Sequence, residues 1–388
     1  MNYVKIRDLS KPQKGFYGLG ASATGYSDDL PQYLRITDID DFGNAPAVLP
    51  TCIDINIYTD WKHYLLRKND IVFARTGNST GRNYFCKNIS RNIVFAGFLI
   101  KFTIDSELVI PQYVGYYCQS QTYWNSVKSL FTGSTRANIN AKQYGDLLIP
   151  IINKDIQQHI VNTIGSVDDL IEKELQIKNK LMELARLKFD TILSKSSKIC
   201  VMLKDIVSQI STGLNPRKNF KLGEGDNYYV TIKNFENGVL SLDDKCDKVN
   251  DEAIQKINKR SKLEKGDILF SSIGRIGSTY LIERTPKNWN ISESVFSIRA
   301  SQKITSEILY IILSSKQVYE YVNSNASGSA QQGIRISSLL ECPIVMPDGK
   351  ELDLLKIYFK NIFDNISNIN RKLSLLKSQK NLLLNKYF

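Results

Sequence analysis

Hydrophobic and polar positions recur along this chain with two different periods, and the two periods occupy separate stretches. Through residues 1–152 and 199–347, short apolar runs with strand-like alternation are broken by Gly, Pro, Asn and Asp, a pattern that predicts β-rich domains with tight turns. Near Lys154, and again near Lys350, the pattern becomes helical and stays so for roughly 40 residues, interrupted by glycine only at Gly165 and by no proline. In the second helical segment Ile362, Ile366, Ile369, Leu373, Leu376 and Leu383 fall on the a and d positions of a heptad, with Lys380 as the interruption, which reads as a coiled-coil seam. The first is less regular: Ile160, Ile164, Val167 and Ile171 form one stripe, which then shifts to Ile177, Leu181 and Leu184. A seam on each helix predicts that the two pair with each other.

The chain also repeats itself at long range. The same ordered series of signatures occurs twice, displaced by about 196 residues. Tyr33-Leu-Arg-Ile-Thr-Asp-Ile-Asp40 returns as Tyr229-Val-Thr-Ile-Lys-Asn-Phe-Glu236, and Leu66-Arg-Lys-Asn-Asp-Ile-Val-Phe73 as Leu263-Glu-Lys-Gly-Asp-Ile-Leu-Phe270. Each of the latter runs into glycines, Gly77 and Gly81 in one half and Gly274 and Gly277 in the other, as a buried strand entering a tight loop does. Gly133-Ser-Thr-Arg-Ala-Asn-Ile139 is matched by Gly328-Ser-Ala-Gln-Gln-Gly-Ile334, and Leu148-Ile-Pro150 by Val345-Met-Pro347, just before each helix. Two equivalent domains, each followed by a long helix, predict antiparallel helix pairing about a pseudo-two-fold axis. At ~1.5 Å per residue, such helices reach about 60 Å, enough to hold two domains apart.

Composition narrows the partners. Lys and Arg number 51 against 39 acidic residues, a net charge of +12 that favours a polyanion. The six cysteines, Cys52, Cys86, Cys118, Cys200, Cys246 and Cys342, are widely spaced, and His63 and His159 are the only imidazoles, so a structural zinc site is not expected. The absence of a signal-like h-region after Met1 and of any membrane-length apolar run predicts a reduced, cytoplasmic, soluble protein.

This order of parts resembles the specificity (S) subunit family of type I restriction-modification enzymes. The features that carry the resemblance are the stretch from Gly266 to Gly274, the Ser211-Thr-Gly-Leu-Asn-Pro216 entry into the second domain, the Gly-Ser segments at 133 and 328, and the Ile-Pro and Met-Pro boundaries. The first half departs from the pattern in having Asn69 where the second has Gly266, and in lacking a clear counterpart of Thr-Gly-x-x-Pro. The resemblance implies an α+β chain with two β-rich target-recognition domains in pseudo-two-fold repeat, separated by two long antiparallel coiled-coil helices. The segments would be 1–152 and 199–347 for recognition, with conserved helical regions at 153–198 and 348–388. It further implies that each domain reads one half of an interrupted, asymmetric DNA site while the helices set the spacer and dock two methyltransferase subunits. Restriction and motor subunits would join that core, and S-adenosylmethionine, ATP and Mg would belong to the partners. A specificity subunit of another restriction system, with modification and cleavage fused in its partner, and a coiled-coil scaffold that binds no DNA stay open as alternatives.

Base reading calls for bidentate donors on loops that can enter a groove. The first half offers Arg75, Asn78, Arg82, Arg136 and Asn138, with Ser134 and Thr135 as hydroxyls for phosphate contact. The second offers Arg217, Lys218, Arg275, Gln331, Gln332 and Arg335. The aromatic residues Tyr113, Tyr116, Tyr117 and Tyr310 read as packing residues. No catalytic residue is expected: the chain has no Asn-Pro-Pro-Tyr-like methyltransferase tetrapeptide, no P-loop, no H-E-x-x-H and no G-x-S-x-G. The glycine-rich stretch from Gly15 to Gly25 reads as a flexible loop, and the acidic pairs Asp28-Asp29, Asp40-Asp41, Asp168-Asp169 and Asp243-Asp244 as solvated surface.

Overall fold

A computed structural model describes residues 2–89, 91–130, 138–236, 238–242, 246–328 and 332–388. The chain divides into two compact units, residues 1–173 with 373–388, and residues 174–372. The architecture is α+β, and one arrangement of strands occurs in both units.

In the first unit a four-stranded antiparallel sheet has the order Phe16–Tyr17, Leu99–Thr103, Asp70–Ala74, Asn83–Phe85. Every residue of Asp70–Ala74 is buried, as expected for a central strand covered on both faces. A second sheet sets Gln32–Leu34 parallel to Ile93–Phe95. Asn2–Lys5 pairs antiparallel with Leu148–Ile151, so the first strand of the domain lies against its last. The second unit has the order Val207–Thr212, Val295–Ala300, Ile268–Ser271, Thr279–Leu281, with Asn227–Val230 parallel to Trp289–Ile291 and Lys198–Met202 against Pro343–Pro347. The core of the first unit is aromatic: Phe73 stacks on Tyr144 at 4.8 Å, and Tyr113, Tyr116 and Tyr117 are buried. In the second unit Tyr310 is buried as well.

The turn leading into each central strand shows that one apparent departure between the halves is conformationally neutral. Asn69 has φ +71° and Gly266 φ +92°. Asparagine is among the few non-glycine residues that enter the left-handed region readily, so the two do the same work. Each is followed by a buried aspartate that caps its own turn: Arg67 N donates to Asp70 Oδ2 at 2.7 Å, and Glu264 N to Asp267 Oδ2 at 2.8 Å. A buried carboxylate needs a counter-charge. The neighbouring strand supplies it, Lys101 Nζ at 3.3 Å from Asp70 and Arg299 Nε at 2.6 Å from Asp267.

The long helices are Lys154–Lys195 and Lys350–Tyr387. In the first unit their segments run antiparallel, with His159 edge-on to Tyr387 and Lys380 Nζ 2.7 Å from Asp168. They do so in the second unit as well, where Glu174 pairs with Lys372, and Lys188 lies over the Tyr358 ring. Ile362, Ile366, Ile369, Leu373 and Leu376 are buried, as are Ile164 and Val167, while Ile171, Leu181 and Leu383 are half-buried.

The stripe shift expected in the first long helix does not occur. Ile177 and Leu184 are 47% and 46% exposed, whereas Glu174 and Lys178 are 8% and 7% exposed. The heptad continues in one phase through those two polar residues to Leu181 and Ala185, leaving Ile177 and Leu184 off the seam. The charges are met locally, Glu174 by Lys372 and Lys178 by the Gly238 carbonyl at 3.4 Å. Lys380, the interruption in the other seam, is likewise 8% exposed and paired. Among the described residues, no helix is long and apolar enough to cross a membrane.

Candidate nucleic-acid interface

Four chain segments that are distant in sequence meet at one corner of each unit. In the first they are Tyr17, Gly18 and Leu19; the hairpin loop of residues 75–82; the turn at Ala96, Gly97 and Phe98; and the chain from Asn138. Backbone bonds lace them together. Leu19 N donates to Phe95 O at 2.9 Å, Gly97 N to Leu19 O at 2.7 Å, Arg75 N to Phe98 O at 3.0 Å, and Ile139 N to Arg75 O at 2.9 Å. In the second unit Gly213 N donates to Ser292 O at 3.2 Å, Ser272 N to Ser294 O at 3.0 Å, and Ile334 N to Ser272 O at 2.9 Å.

Two glycines make this closeness possible. A Cβ on Gly18 would lie 2.2 Å from the Ala96 carbonyl oxygen, and one on Gly213 would lie 1.6 Å from that of Ile291. Next to each, a buried tyrosine reaches up from the parallel strand pair: the Tyr33 hydroxyl is 2.7 Å from Leu19 O and that of Tyr229 is 2.6 Å from Leu214 O. Gly18 is therefore the counterpart of the glycine in the Thr-Gly-x-x-Pro segment, which the sequence of the first half conceals. The stretch from Gly15 to Gly25 is not the plain loop expected of it: it holds the strands Phe16–Tyr17 and Thr24–Gly25.

The positive φ values of Gly77 and Gly81, and of Gly274 and Gly277, shape the two hairpin loops, where a side chain would be strained. In the first unit Arg75 is half-buried, its guanidinium 4.9 Å from the centre of the Tyr17 ring, and Asn78 and Asn138 are exposed. Arg82 is committed inside the domain: its Nε is 2.8 Å from Asp41 and its NH1 donates to Ile39 O at 3.0 Å, so it ties the chain near Asp41 to the hairpin. Ser134, Thr135, Arg136 and Gln331 lie outside the described residues. In the second unit Arg217, Lys218, Arg275, Gln332 and Arg335 are all exposed. Arg217 and Lys218 stand on the turn Pro216–Lys218, whose cap, Asn215, accepts from Arg217 N at 2.9 Å. The fold thus brings Arg75 beside Asn138, and the Arg275 loop beside Gln332 through the Ile273 and Gly333 bridge.

The corner also holds residues that sequence reasoning passed over. Phe98 is 59% exposed at its turn. At the matching turn of the second unit the exposed Glu293 is held at both oxygens: Asn215 Nδ2 donates to Oε1 at 2.7 Å, and the Tyr229 hydroxyl is 2.9 Å from Oε2. The single tyrosine proton is shared between Leu214 O and the carboxylate. Burial, and then the Glu293 charge, push the Tyr229 hydroxyl well above its ordinary range, which keeps that proton in place. The paired turns after the parallel strands are the signal that finds these residues.

Residues 39–183 and 200–385 each match the family model of the type I restriction modification DNA specificity domain. No curated protein matches the chain. Among solved structures it is similar to the type I restriction-modification S subunit from M. genitalium, at 18% identity over 100% of this chain and 96% of that one, with a TM-score of 0.48. It is also similar to a chain from a study of complex assembly and conformational transition in the type I R-M system, at 14% identity over 99% and 96%, with a TM-score of 0.35. The HsdS subunit from Thermoanaerobacter tengcongensis matches at 14% identity over 100% and 96%, with a TM-score of 0.34.

Proposed function

Because the chain belongs to the type I restriction-modification DNA specificity family, we propose that it is the DNA-reading subunit of such an enzyme and performs no catalysis itself. Each recognition domain reads one half of a bipartite, asymmetric site through its four-segment corner. The observation that carries this is that one backbone corner occurs twice in a single chain with different side chains on it: Tyr17, Arg75, Asn78 and Asn138 in one, Arg217, Lys218, Arg275 and Gln332 in the other. A shared scaffold with unlike donors suits two half-sites of unlike sequence, and loop-borne Arg, Asn and Gln are the residues that pair with guanine and adenine edges. The net charge of +12 supplies the non-specific attraction to phosphate.

In this reading the paired helices set the spacer between the half-sites and dock two methyltransferase subunits. Restriction and motor subunits complete the enzyme, which works in the cytoplasm, and S-adenosylmethionine, ATP and Mg act on the partner chains. The test is co-expression with the methyltransferase, followed by single-molecule sequencing to map methylated bases. A split motif in which one half alone changes when residues 1–152 are exchanged supports the reading. A continuous motif, or one indifferent to the exchange, overturns it.

A further inference from the structure

We infer that the turn following each parallel strand pair carries a base-reading side chain, Glu293 in the second domain and Phe98 in the first, and that the two select different bases. The inference rests on the DNA-reading function proposed above and assigns two residues within it.

Glu293 is a carboxylate exposed beside Arg217, in a cleft that Asp247 also lines. Beside a phosphate it would be repelled. In a major groove the partners that suit a carboxylate are exocyclic amines, and the cytosine N4 amine is the one that Glu and Asp accept from in direct readout. The side chain is built for such a role. Asn215 and the buried Tyr229 each hold one carboxylate oxygen, fixing the group while leaving further lone pairs on both oxygens.

At the matching turn of the first domain the exposed residue is Phe98, one place further along the turn than Glu293 and opposite Ser294 in register, and its side chain has no polar atom to offer a base edge. Its backbone is fixed by the bond from Arg75 N to Phe98 O at 3.0 Å, which also sets it against the arginine that stacks on Tyr17. The feature of a base edge that rewards an apolar group is the thymine methyl. The same turn thus delivers a hydrogen-bond acceptor in one half-site and an apolar contact in the other.

The experiment uses the full chain with its methyltransferase, mapping methylated bases in host DNA and comparing binding to duplexes varied one position at a time. Glu293→Gln preserves shape and exchanges an acceptor for an amide suited to adenine. It is expected to reduce the preference for cytosine at one position of one half-site by roughly tenfold, leaving the other half intact. Phe98→Ala should relax a thymine in the opposite half. Glu293→Asp, which retains the carboxylate, should keep the cytosine preference. An intact split motif in both Glu293→Gln and Phe98→Ala overturns the inference, and so does equal weakening on every duplex in both Glu293 variants, the signature of a backbone contact or a damaged fold. A wild-type motif that is not split overturns the underlying function instead.

Discussion

The buried Tyr229 hydroxyl lies 2.6 Å from the carbonyl oxygen of Leu214, the residue that follows the closely packed Gly213. Tyr33 makes the same contact with Leu19 at 2.7 Å beside Gly18. Each bond fixes a loop of the four-segment corner to the interior of its own domain. Replacing Tyr229 by Phe strips the Leu214 carbonyl of this partner and loosens Glu293. We expect a loss of ~1–3 kcal/mol, read as a lower urea midpoint, with hydrogen exchange faster around Leu214 than in the strand Ile268–Ser271. Unchanged exchange there would sink the idea that the tyrosine anchors the loop.

Asn69 should be replaceable by glycine with a stability change within ~0.5 kcal/mol, because the position needs only the left-handed backbone that Gly266 adopts in the other unit. Asn69→Val should cost ~1–2 kcal/mol in the same backbone position. Thermal melting of the two variants beside the parent decides the matter. Equal melting temperatures for the glycine and valine variants would show that the turn relaxes.

Lys380 occupies a seam position, with its ammonium 2.7 Å from Asp168 and 5.7 Å from the centre of the Tyr116 ring. Lys380→Met removes the charge partner of a carboxylate that is 28% exposed, so the buried-pair penalty is discounted to ~1–3 kcal/mol. Adding Asp168→Leu should recover part of the loss but not all of it, because the buried Tyr116 hydroxyl donates to Asp168 at 3.0 Å and then loses that acceptor. Denaturation midpoints of the two single variants and the double variant test this, and a double variant no better than Lys380→Met would argue against the coupling.

Arg275 stands exposed in its hairpin loop, whereas Lys218 stands exposed on a neighbouring turn. If Arg275 pairs with a guanine, Arg275→Ala costs ~1–3 kcal/mol on the cognate duplex and relaxes one base position. Lys218→Ala should weaken cognate and scrambled duplexes alike and lower the salt dependence of binding by about one phosphate contact. Binding isotherms at several salt concentrations separate the two behaviours. A uniform loss for Arg275→Ala would reassign it to the DNA backbone.

The duplication was legible in the sequence where side chains carry the constraint. The strands Asp70–Ala74 and Ile268–Ser271 are buried on both faces, so their apolar runs and the preceding aspartate stay recognisable. It was hidden where backbone carries the constraint. Around Gly18 and Gly213 only a Gly-Leu pair is shared, because what the site requires is the absence of a Cβ and one carbonyl for a tyrosine to meet. The first seam was misread for a related reason: Glu174 and Lys178 look like breaks in an apolar stripe until Lys372 and the Gly238 carbonyl are found beside them. Phe98 and Glu293 escaped notice because they belong to the part of each turn that differs between the halves.

Each domain's first and last strands form one antiparallel ladder, Asn2–Lys5 with Leu148–Ile151 and Lys198–Met202 with Pro343–Pro347. The polypeptide therefore enters and leaves each domain at a single gate. The ladder closes a loop in the folded domain, and the entropic cost of that closure grows only slowly as the loop lengthens. New ends could be cut at an exposed tip and the old ones joined across the gate, which makes each domain a natural subject for circular permutation. Change inside each loop is to that extent uncoupled from change in the long helix that follows it.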